Sequence, residues 1–395
     1  MPGIYIHIPF CKQACHYCNF HFSTSMKLKN GFLEALLNEI SLQKNFLREE
    51  VVETIYFGGG TPSLLSGEEI KTILEDIRSN YEVLAEAETT LEANPDDITF
   101  EKLNSWKQAG INRLSIGIQS FFEQDLQWMN RAHNAAQGEN CLELAYKAGF
   151  DNMSLDLIFG TPTLTDSNWK YNVEKAISFN IKHLSCYCLT VEPKTPLEKL
   201  IDKKKLKGIN SEDQARQFLL LIDWLSRAGY EHYEISNFAL PGKRSKHNSS
   251  YWQGKKYLGL GPSAHSFDGN SRQWNLANNA LYIQSLQKNI VPFEMEILTP
   301  AQKLNEWIMT SLRTKEGIQL DTQMTPVDDR IIQLLQKKSA RYQQQDFLQA
   351  DGRSLILTNQ GKLYADGIAA GLFFEESEIR DYAYADDPGY ISSSP

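Results

Sequence analysis

The chain has 395 residues, of which 42% are hydrophobic and 23% charged, and 40 Lys and Arg against 49 Asp and Glu give a formal net charge of −9. This composition excludes a globally disordered chain, and the length fits two or three domains of about 150 residues each. The acidic balance argues against a nucleic-acid partner, and the apolar runs are shorter than the roughly 20 residues of a membrane helix, so no integral membrane segment is expected.

The N-terminal residues and the cysteine count indicate the compartment. The sequence begins MPGIYIHIPFC, without a positively charged segment ahead of an apolar run, so no signal peptide is predicted and we expect a cytoplasmic protein. A reducing cytoplasm keeps thiols free. The six cysteines are therefore expected to bind a metal or to pack in the core rather than to form disulfides.

Up to about residue 190, short β-branched runs alternate with longer amphipathic segments. The predicted strands are 3–8, 54–57, 89–93, 113–118, 154–158 and 183–189. The predicted helices between them are 28–46, 67–79, 99–109, 137–148 and 166–179. Strand and helix that recur about every 30 residues are typical of βαβ units and a parallel sheet. The sequence therefore predicts an α/β fold, either an open partial barrel or a doubly wound sheet.

Four regions are predicted along the chain. They are a core at 1–195, a connecting region at 196–298, a small helical or winged-helix domain at 299–374, and an acidic flexible tail at 375–395. The connecting region contains a lysine-rich run, Lys203, Lys204, Lys205 and Lys207, which we interpret as a solvated face. The tail contains six acids and one arginine, which supports its assignment as a mobile end.

Polar residues and glycines gather where the predicted strands end. The sequence Gly58-Gly59-Gly60-Thr61-Pro62 follows the second strand, and Glu92, Gln119 and Asp156 lie at or after the next three strand ends. Ligands of parallel α/β sheets bind at these carboxyl ends, and glycine lets a ligand approach the backbone closely. Each polar residue alone fits a surface position or a satisfied ion pair, but together they predict a binding site.

The first strand is followed by a cysteine motif, C-x3-C-x2-C, formed by Cys11, Cys15 and Cys18. Three thiolates so placed can hold three irons of a [4Fe-4S] cluster and leave the fourth iron open to another ligand. From spacing alone, the alternative is a structural zinc ion with His16 or His21 as fourth ligand. The remaining cysteines, Cys141, Cys186 and Cys188, are predicted to lie in the core.

The sequence resembles the radical S-adenosylmethionine (SAM) superfamily in its C-x3-C-x-Y-C motif followed by GGGTP. Two further stretches, YIHIPFC ending at Cys11 and NRAH beginning at Asn130, are similar to the branch that contains oxygen-independent coproporphyrinogen III dehydrogenase (HemN) and the haem chaperone HemW. The resemblance runs from Tyr5 to about Phe374 and makes zinc improbable. It implies a partial (β/α)6 radical SAM barrel and a small C-terminal HemN-like domain.

The resemblance also implies two cofactors and a set of binding residues. In the superfamily, the open iron of a [4Fe-4S] cluster chelates SAM, and an electron from the cluster cleaves SAM to a 5′-deoxyadenosyl radical, so a one-electron reductant is an expected partner. Cys11, Cys15 and Cys18 are the implied cluster ligands. The implied SAM-binding residues are Tyr5, Tyr17, Gly59, Gly60, Thr61, Glu92, Gln119, Arg131 and Asp156. Chemically the set is consistent, since carboxylates accept from hydroxyls and an arginine fork matches a carboxylate.

Two departures separate this chain from the dehydrogenase pattern, in which a further cysteine follows the motif and a longer segment precedes it. Here Phe20 stands where that cysteine is expected, and the motif begins at residue 11. The segment His247-Asn248-Ser249-Ser250-Tyr251-Trp252 instead matches the HNxxYW motif of the HemW-like group. The resemblance therefore implies a haem chaperone that delivers haem to haem-requiring proteins.

Haem is thus a third expected ligand, with His247, Tyr251, Trp252 and His265 as candidate binding residues, because imidazole ligates haem iron and aromatic rings cover porphyrin. Taken without the resemblance, the HNxxYW segment fits a packed turn better than a haem site, with His247 and Asn248 bonded to the backbone and the aromatic side chains packed. The alternatives are the dehydrogenase or another radical SAM enzyme, and a non-enzymatic iron–sulfur or zinc protein. Whether the chain is an enzyme stays open, although dehydrogenase activity is not expected, and the assembly state stays open too, a homodimer included.

Overall fold

The computed structural model describes residues 2–48, 50–321 and 327–379. These residues fall into two compact units. One lies within Met1–Tyr251 and Lys255–Met295, and the other within Trp252–Gly254 and Glu296–Pro395. In the described part of the chain, no helix is both long enough and apolar enough to cross a membrane.

Six consecutive parallel strands form the centre of the first unit, where they lie in chain order. Strands β1 to β6 are Gly3–Ile8, Val52–Gly59, Val83–Ala93, Arg113–Gln119, Met153–Phe159 and His183–Cys188. Helices α1 to α6 connect them and are Lys29–Leu42, Gly67–Asn80, Phe100–Ala109, Glu123–Trp128, Ala135–Lys147 and Asp166–Ser178. The predicted α/β fold is confirmed, and α4 is the one connecting helix that the sequence pattern did not indicate.

Residues 196–295 extend this sheet at both edges. They contain helices α7 (Pro196–Asp202), α8 (Ser211–Arg227), α9 (Lys246–Trp252) and α10 (Asn279–Leu286), and strands β7 (Glu231–Glu234), β8 (Asn237–Ala239), β9 (Tyr257–Leu260), β10 (His265–Phe267), β11 (Ser271–Asn275) and β12 (Phe293–Ile297). Strands β8 and β7 follow β6, while β9 pairs with β1 in parallel and continues through β10 and β11 to β12. The region predicted as a connection therefore completes the sheet of the first unit.

The two faces of the central strands differ in polarity, because successive side chains of a strand point to opposite faces. Ile4, Ile6 and Ile8 of β1 are fully buried, as are their apolar counterparts on the neighbouring strands. The opposite face is polar: Tyr5 pairs with Tyr56 of β2, and the same face continues through the residues Thr90, Glu92, Arg113, Ser115, Ser154, Asp156 and His183. The hydrophobic core thus lies on one face, and the other face is built of hydrogen-bonding groups.

A buried carboxylate joins α1 to the strands added after β9. Glu39 has no exposed surface and accepts hydrogen bonds from the Gly261 amide (2.7 Å), the Asn275 side-chain amide (2.6 Å) and the Tyr282 hydroxyl (2.6 Å). Burial raises the pKa of Glu39, and the three donors offset part of that rise. The carboxylate therefore ties together one helix, one loop, one strand and helix α10.

The second unit combines helices with a small antiparallel sheet. Its elements are α11 (Pro300–Leu312), β13 (Ile318–Gln319), α12 (Asp329–Gln344), β14 (Leu348–Ala350), β15 (Ser354–Leu357), α13 (Ala365–Leu372) and α14 (Glu376–Ile379). Helix α13 packs on α11 and α12, and β15 lies between β13 and β14. Helix α14 occupies the first residues of the predicted acidic tail; residues 380–395 lie outside the described part of the chain.

Candidate functional site

The cysteine motif forms a loop directly after β1. Two backbone hydrogen bonds close the loop, from the Cys11 amide to the Ser23 carbonyl (3.0 Å) and from the Ser23 amide to the Pro9 carbonyl (2.9 Å). Its centre is held from outside, because the His16 amide donates to Met129 at 3.1 Å and the His16 carbonyl accepts from Leu197 at 2.8 Å. The loop is therefore fixed by α7 and by the segment after α4.

The three thiols of this loop are free and partly buried. Burial raises the pKa of Cys11 to about 11, and the other two thiols add to that rise, whereas a hydrogen bond from Thr61 opposes it. A metal group would supply the positive charge that converts such thiols to thiolates.

The donor set fits an iron–sulfur cluster better than a zinc ion. His16 Nδ1 donates to the Trp128 carbonyl (2.9 Å), and His21 Nε2 is bonded to the Asn279 side chain (2.7 Å), so each histidine keeps one ring nitrogen for a metal. Within residues 2–48, 50–321 and 327–379, no three His, Cys, Asp or Glu side chains converge on one metal ion. Three thiols without a fourth protein ligand are what a cluster with an open iron requires.

Arg131 connects the cysteine loop to the strand ends. Its Nη1 donates to the Cys15 sulfur (3.3 Å) and the Tyr17 hydroxyl (3.4 Å), and its Nη2 donates to the Asn94 side chain (2.7 Å) and the Gly117 carbonyl (2.9 Å). Its Nε has no hydrogen-bond partner among the described residues. One guanidinium therefore joins the loop to the ends of β3 and β4 and keeps one donor for another group.

Glu92 lies on the polar face near the end of β3. Its Oε1 accepts a hydrogen bond from the Tyr56 hydroxyl (2.8 Å), and the Gly59 amide donates to the same carboxylate. Burial raises the pKa of Glu92 to about 7, an effect that the Tyr56 hydrogen bond opposes and the nearby Asp156 charge reinforces. Glu92 is thus a carboxylate acceptor that changes protonation close to neutral pH.

Asp156 is the second carboxylate of this face. Burial raises its pKa to about 6, while hydrogen bonds from Ser185 and Ser115 and the charges of Arg113 and Arg131 lower it. Two carboxylates on neighbouring parts of one polar face, both with raised pKa values, are typical of a site that binds hydroxyls or cations. The prediction that strand-end carboxylates gather here agrees with this geometry.

The glycines after β2 leave no room for side chains. A Cβ atom at Gly60 would lie 2.7 Å from the Phe10 carbonyl oxygen, and one at Gly59, where φ is +105°, would lie 2.5 Å from the His7 ring. The backbone of this turn therefore lies against the cysteine loop. Thr61 follows it, with its hydroxyl accepting from Asn94 (3.3 Å).

Gln119 ends β4 with a φ of +67°, a left-handed conformation that is uncommon for a residue with a side chain. Its side-chain oxygen is buried and has no hydrogen-bond partner among the described residues. Backbone strain of this kind accumulates at ligand sites. The side-chain nitrogen of Gln119 lies near Gly117 and Arg131, so Gln119 belongs to the region that these two residues line.

Tyr5 lies on the polar face of β1, and its hydroxyl donates to His7 Nδ1 (3.3 Å), whose Nε2 donates to the His21 carbonyl (2.8 Å). Burial lowers the pKa of His7 to about 4, so the ring is neutral at neutral pH. The chain of hydrogen bonds runs from the polar face into the cysteine loop.

The HNxxYW segment forms helix α9 and lies against β2. His247 Nδ1 is bonded to the Thr54 hydroxyl (2.8 Å), and His247 Nε2 is bonded to the Tyr251 hydroxyl (2.8 Å). The imidazole stacks on Tyr56 with 4.9 Å between ring centroids, and burial lowers its pKa to about 3. The amides of Lys246 and His247 donate to Glu88, which fixes the start of the helix.

Several of these contacts argue against the prediction that His247 is an open haem ligand. His247 is 1% exposed and both ring nitrogens are bonded, so haem iron would have to reach a buried ring and displace the hydrogen bond at the nitrogen that it binds. Tyr251 is bonded to the same ring, and Trp252 belongs to the second unit, where the Arg313 guanidinium lies 5.1 Å from its ring centroid. The alternative reading of the segment as a packed structural turn agrees better with this geometry.

His265 differs from His247. Its side chain is exposed on β10, neither ring nitrogen has a hydrogen bond within the described residues, and the cross-strand neighbour Trp274 lies with its ring centroid 6.1 Å away. The Trp274 indole donates to Glu294 (3.1 Å). An exposed imidazole beside an aromatic ring is open to an external ligand.

The sequence matches two family models and a set of relatives. Residues 5–176 match the model of the radical SAM superfamily, and residues 298–364 match that of the HemN C-terminal domain. The haem chaperone HemW of Bacillus subtilis is 35% identical over 322 residues, which cover 80% of this chain and 85% of that protein. The chain belongs to the HemW family of the radical SAM superfamily.

Other relatives of this chain are HemW proteins as well. HemW of Mycobacterium tuberculosis is 32% identical over 375 residues, 94% of each protein, and HemW of Escherichia coli is 37% identical over 270 residues, 67% of this chain and 69% of that protein. Among solved structures, the E. coli coproporphyrinogen III oxidase HemN, a radical SAM enzyme, superposes with a TM-score of 0.80 at 23% identity over 94% of this chain and 90% of the other. That likeness confirms the predicted fold, a partial barrel with a HemN-like C-terminal domain.

Three residues of the HemW-family site were missed from the sequence. Asn94 holds Arg131 and Thr61, Tyr56 holds Glu92, and His7 links Tyr5 to the cysteine loop. Asn94 had a detectable signal, since it follows directly after β3. Tyr56 and His7 lie within strands, and only the register of the sheet shows which face they occupy. Cys188 was also misjudged: the thiol is exposed, whereas Cys186 is buried as predicted.

Proposed function

We propose that this chain is a haem chaperone that binds a [4Fe-4S] cluster, SAM and haem and transfers haem to haem-requiring proteins. The observation that supports the cofactor part is the double attachment of Arg131, which bonds Cys15 in the motif loop and Asn94 and Gly117 at the strand ends. A cluster held by the loop and a ligand held by the strand ends would then be neighbours. Membership of the HemW family supports the haem part.

In this proposal, the three cysteines hold three irons and SAM chelates the fourth. The cluster supplies one electron at low potential when it is reduced. Gly59, Gly60 and Thr61 meet the methionine end of SAM with their backbone, and Glu92 accepts from the ribose hydroxyls. The rest of the proposed SAM site is lined by Tyr5, Tyr17, Gln119, Arg131 and Asp156. Burial raises the pKa of Glu92, and the positive charge of bound SAM would stabilise the ionised carboxylate.

We further propose His265 as the axial haem ligand. A carrier must hold iron and also release it, which favours one exchangeable ligand at an open site over a closed pocket. The exposed imidazole and the adjacent Trp274 ring meet this requirement, whereas His247 is engaged on both nitrogens. Imidazole is a common haem ligand and an aromatic ring can cover part of a porphyrin face.

The proposal is tested on anaerobically reconstituted protein. Iron and sulfide analysis measures the cluster, equilibrium binding measures SAM, and titration with haem followed by absorption measures haem uptake. A haem-free acceptor protein then reports transfer by its own absorption band. Wild-type protein that binds no haem contradicts the chaperone assignment, and stoichiometric zinc without sulfide contradicts the cluster and supports a structural metal site.

The second candidate is oxygen-independent coproporphyrinogen III dehydrogenase, which the fold likeness to HemN favours. Against it, Phe20 occupies the position where the dehydrogenase pattern has a further cysteine, and its side chain is 66% exposed. We expect protein loaded with cluster, SAM and reductant to form no protoporphyrinogen IX from coproporphyrinogen III. Product above a cluster-free control reverses the ranking of the two candidates.

A further inference from the structure

The segment after β6 contains six lysines, none of which belongs to the proposed site. They are Lys194, Lys199, Lys203, Lys204, Lys205 and Lys207, and all six are exposed. Three acids, Glu192, Glu198 and Asp202, lie in the same stretch, so its local charge is 6 − 3 = +3 in a chain of net charge −9. No ammonium group of the six has an ion-pair or hydrogen-bond partner in the described residues. We call residues 194–207 the lysine segment.

The lysine segment lies against the cysteine loop. Leu197 of α7 is fully buried, and its amide donates to the His16 carbonyl between Cys15 and Cys18 (2.8 Å). The side chain packs in one apolar cluster with Trp128 and Met129. Tyr17, from the motif, and Ile201 and Leu206, from the lysine segment, pack against this cluster. The motif loop and the lysine segment thus share one small core.

Five of the six lysines follow Leu197 along α7 and the residues after it. A helix rises 1.5 Å per residue, which puts Lys203, at the end of α7, about 9 Å along the axis from Leu197. Lys199 follows Leu197 by two residues, which places it on nearly the opposite side of α7, where it is exposed. The helix that contacts the loop of Cys15 and Cys18 therefore carries unpaired positive charge on its exposed side.

We propose that the lysine segment is the docking surface for an acidic electron-transfer protein that reduces the cluster. The inference rests on the proposed function, because it requires a cluster at Cys11, Cys15 and Cys18. The electron balance is simple: the donor loses one electron, the [4Fe-4S]2+ cluster becomes [4Fe-4S]+, and no bond is made or broken. The donor is thus defined by two properties, an acidic surface and a one-electron redox group.

Charge favours this partner over the other anionic macromolecules. Complementary charges steer encounter and raise association rates by roughly ten- to a thousandfold in weak, short-lived complexes, and electron-transfer pairs form interfaces of this small, transient kind. A nucleic acid requires a broad basic surface, whereas the chain as a whole has a net charge of −9. A membrane surface would require an exposed apolar helix face, and the apolar residue Leu197 of α7 is buried.

The test compares two charge-matched variants of cluster-loaded protein. K203E/K204E/K205E reverses the lysine segment, and K44E/K147E/K288E makes the same change in charge at three exposed positions on other elements. The probe is an acidic flavodoxin. Calorimetry measures binding of its oxidised form, stopped-flow absorption measures cluster reduction by its reduced form, and both are recorded over a range of ionic strength. Dithionite, which needs no docking surface, is the control reductant.

We expect the lysine-segment variant to bind flavodoxin at least about tenfold more weakly and to lose most of the salt dependence of reduction, while dithionite reduces all three proteins equally. Flavodoxin binding and reduction equal to those of the control variant overturn the inference, as does binding of the segment to anionic vesicles or RNA with flavodoxin unaffected. Wild-type protein without iron and sulfide is a different failure, since it contradicts the proposed function itself.

Discussion

Cys15 connects the cysteine loop to the strand ends, because Arg131 donates a hydrogen bond directly to its sulfur. We expect C15A to lose the cluster, since two remaining thiolates leave two irons without protein ligands. Wild-type protein should contain about four irons per chain, as in cubane clusters. Iron and sulfide analysis with EPR measures both.

The matched control is C188A, which removes an exposed thiol outside the motif and should keep the full iron content. A normal cluster in C15A would contradict the ligand assignment.

Glu92 gives SAM binding a predicted pH dependence. Its pKa is about 7, so the carboxylate gains a proton as the pH falls through that value and loses its negative charge. SAM affinity should therefore fall below about pH 7, by up to about tenfold per pH unit if one proton is taken up. Equilibrium dialysis at several pH values measures this dependence.

Two variants test the assignment to Glu92. E92Q should bind SAM roughly ten- to hundredfold more weakly and lose the transition near pH 7, because its amide does not titrate. Y56F removes the hydroxyl that lowers the Glu92 pKa and should move the midpoint to higher pH. Unchanged affinity and profile in both variants would remove Glu92 from the site.

Variants of His265 and His247 should affect different ligands, haem in the first case and SAM in the second. H265A is expected to weaken haem binding or to change the absorption spectrum of bound haem, since it removes an open imidazole. H247A should keep the wild-type haem spectrum and instead weaken SAM binding, because His247 stacks on Tyr56, which in turn holds Glu92. A lost haem spectrum in H247A alone would return the ligand to the HNxxYW segment.

Single residues were predictable from the sequence where their position on a strand decided the outcome. Glu92, Gln119 and Asp156 follow from the rule that the carboxyl ends of parallel strands meet. His247 could not be judged in the same way, because burial and the partners Thr54 and Tyr251 depend on residues far away in the chain. A motif shows which chemistry a side chain can perform but not whether its nitrogens are free.

At the scale of elements, Glu39 joins α1 to the strands after β9. We expect E39A to lower the free energy of unfolding by about 3 kcal/mol, because it leaves the Gly261, Asn275 and Tyr282 donors unsatisfied in a buried site. Chemical denaturation measures the difference. E34A on the exposed side of the same helix should change stability by less than about 0.5 kcal/mol, and an equally small effect of E39A would contradict the network.

The elements of the parallel sheet were predictable because each strand is a buried β-branched run between amphipathic helices. All six predicted strands overlap those observed, from β1 at Gly3–Ile8 to β6 at His183–Cys188. The strands β7 to β12 were not predicted, since most have three to five residues and their pairing depends on long-range contacts. Such strands have too few residues for a period of two to be visible.

At the scale of the whole molecule, the fold is shared with HemN while two sequence motifs differ. The chain shares nearly all of its architecture with HemN at 23% identity, yet Phe20 and the HNxxYW segment depart from the dehydrogenase pattern. These departures are local, whereas the sheet and the C-terminal domain are common. Periodicity therefore predicted the α/β class, the resemblance implied the partial barrel and the C-terminal domain, and only particular residues bear on the activity.

The pairing of β1 with both β2 and β9 has a consequence for biosynthesis. Thr54 and His247, which are hydrogen-bonded, lie 193 residues apart, a distance that a ribosome covers in roughly 10 to 40 seconds. Throughout that interval β1 has one edge without a partner, and Tyr56 lacks the imidazole on which it stacks. Unpaired edges are prone to aggregation. The nascent chain therefore carries an aggregation-prone edge until residues near 260 have left the ribosome and β9 can pair with β1.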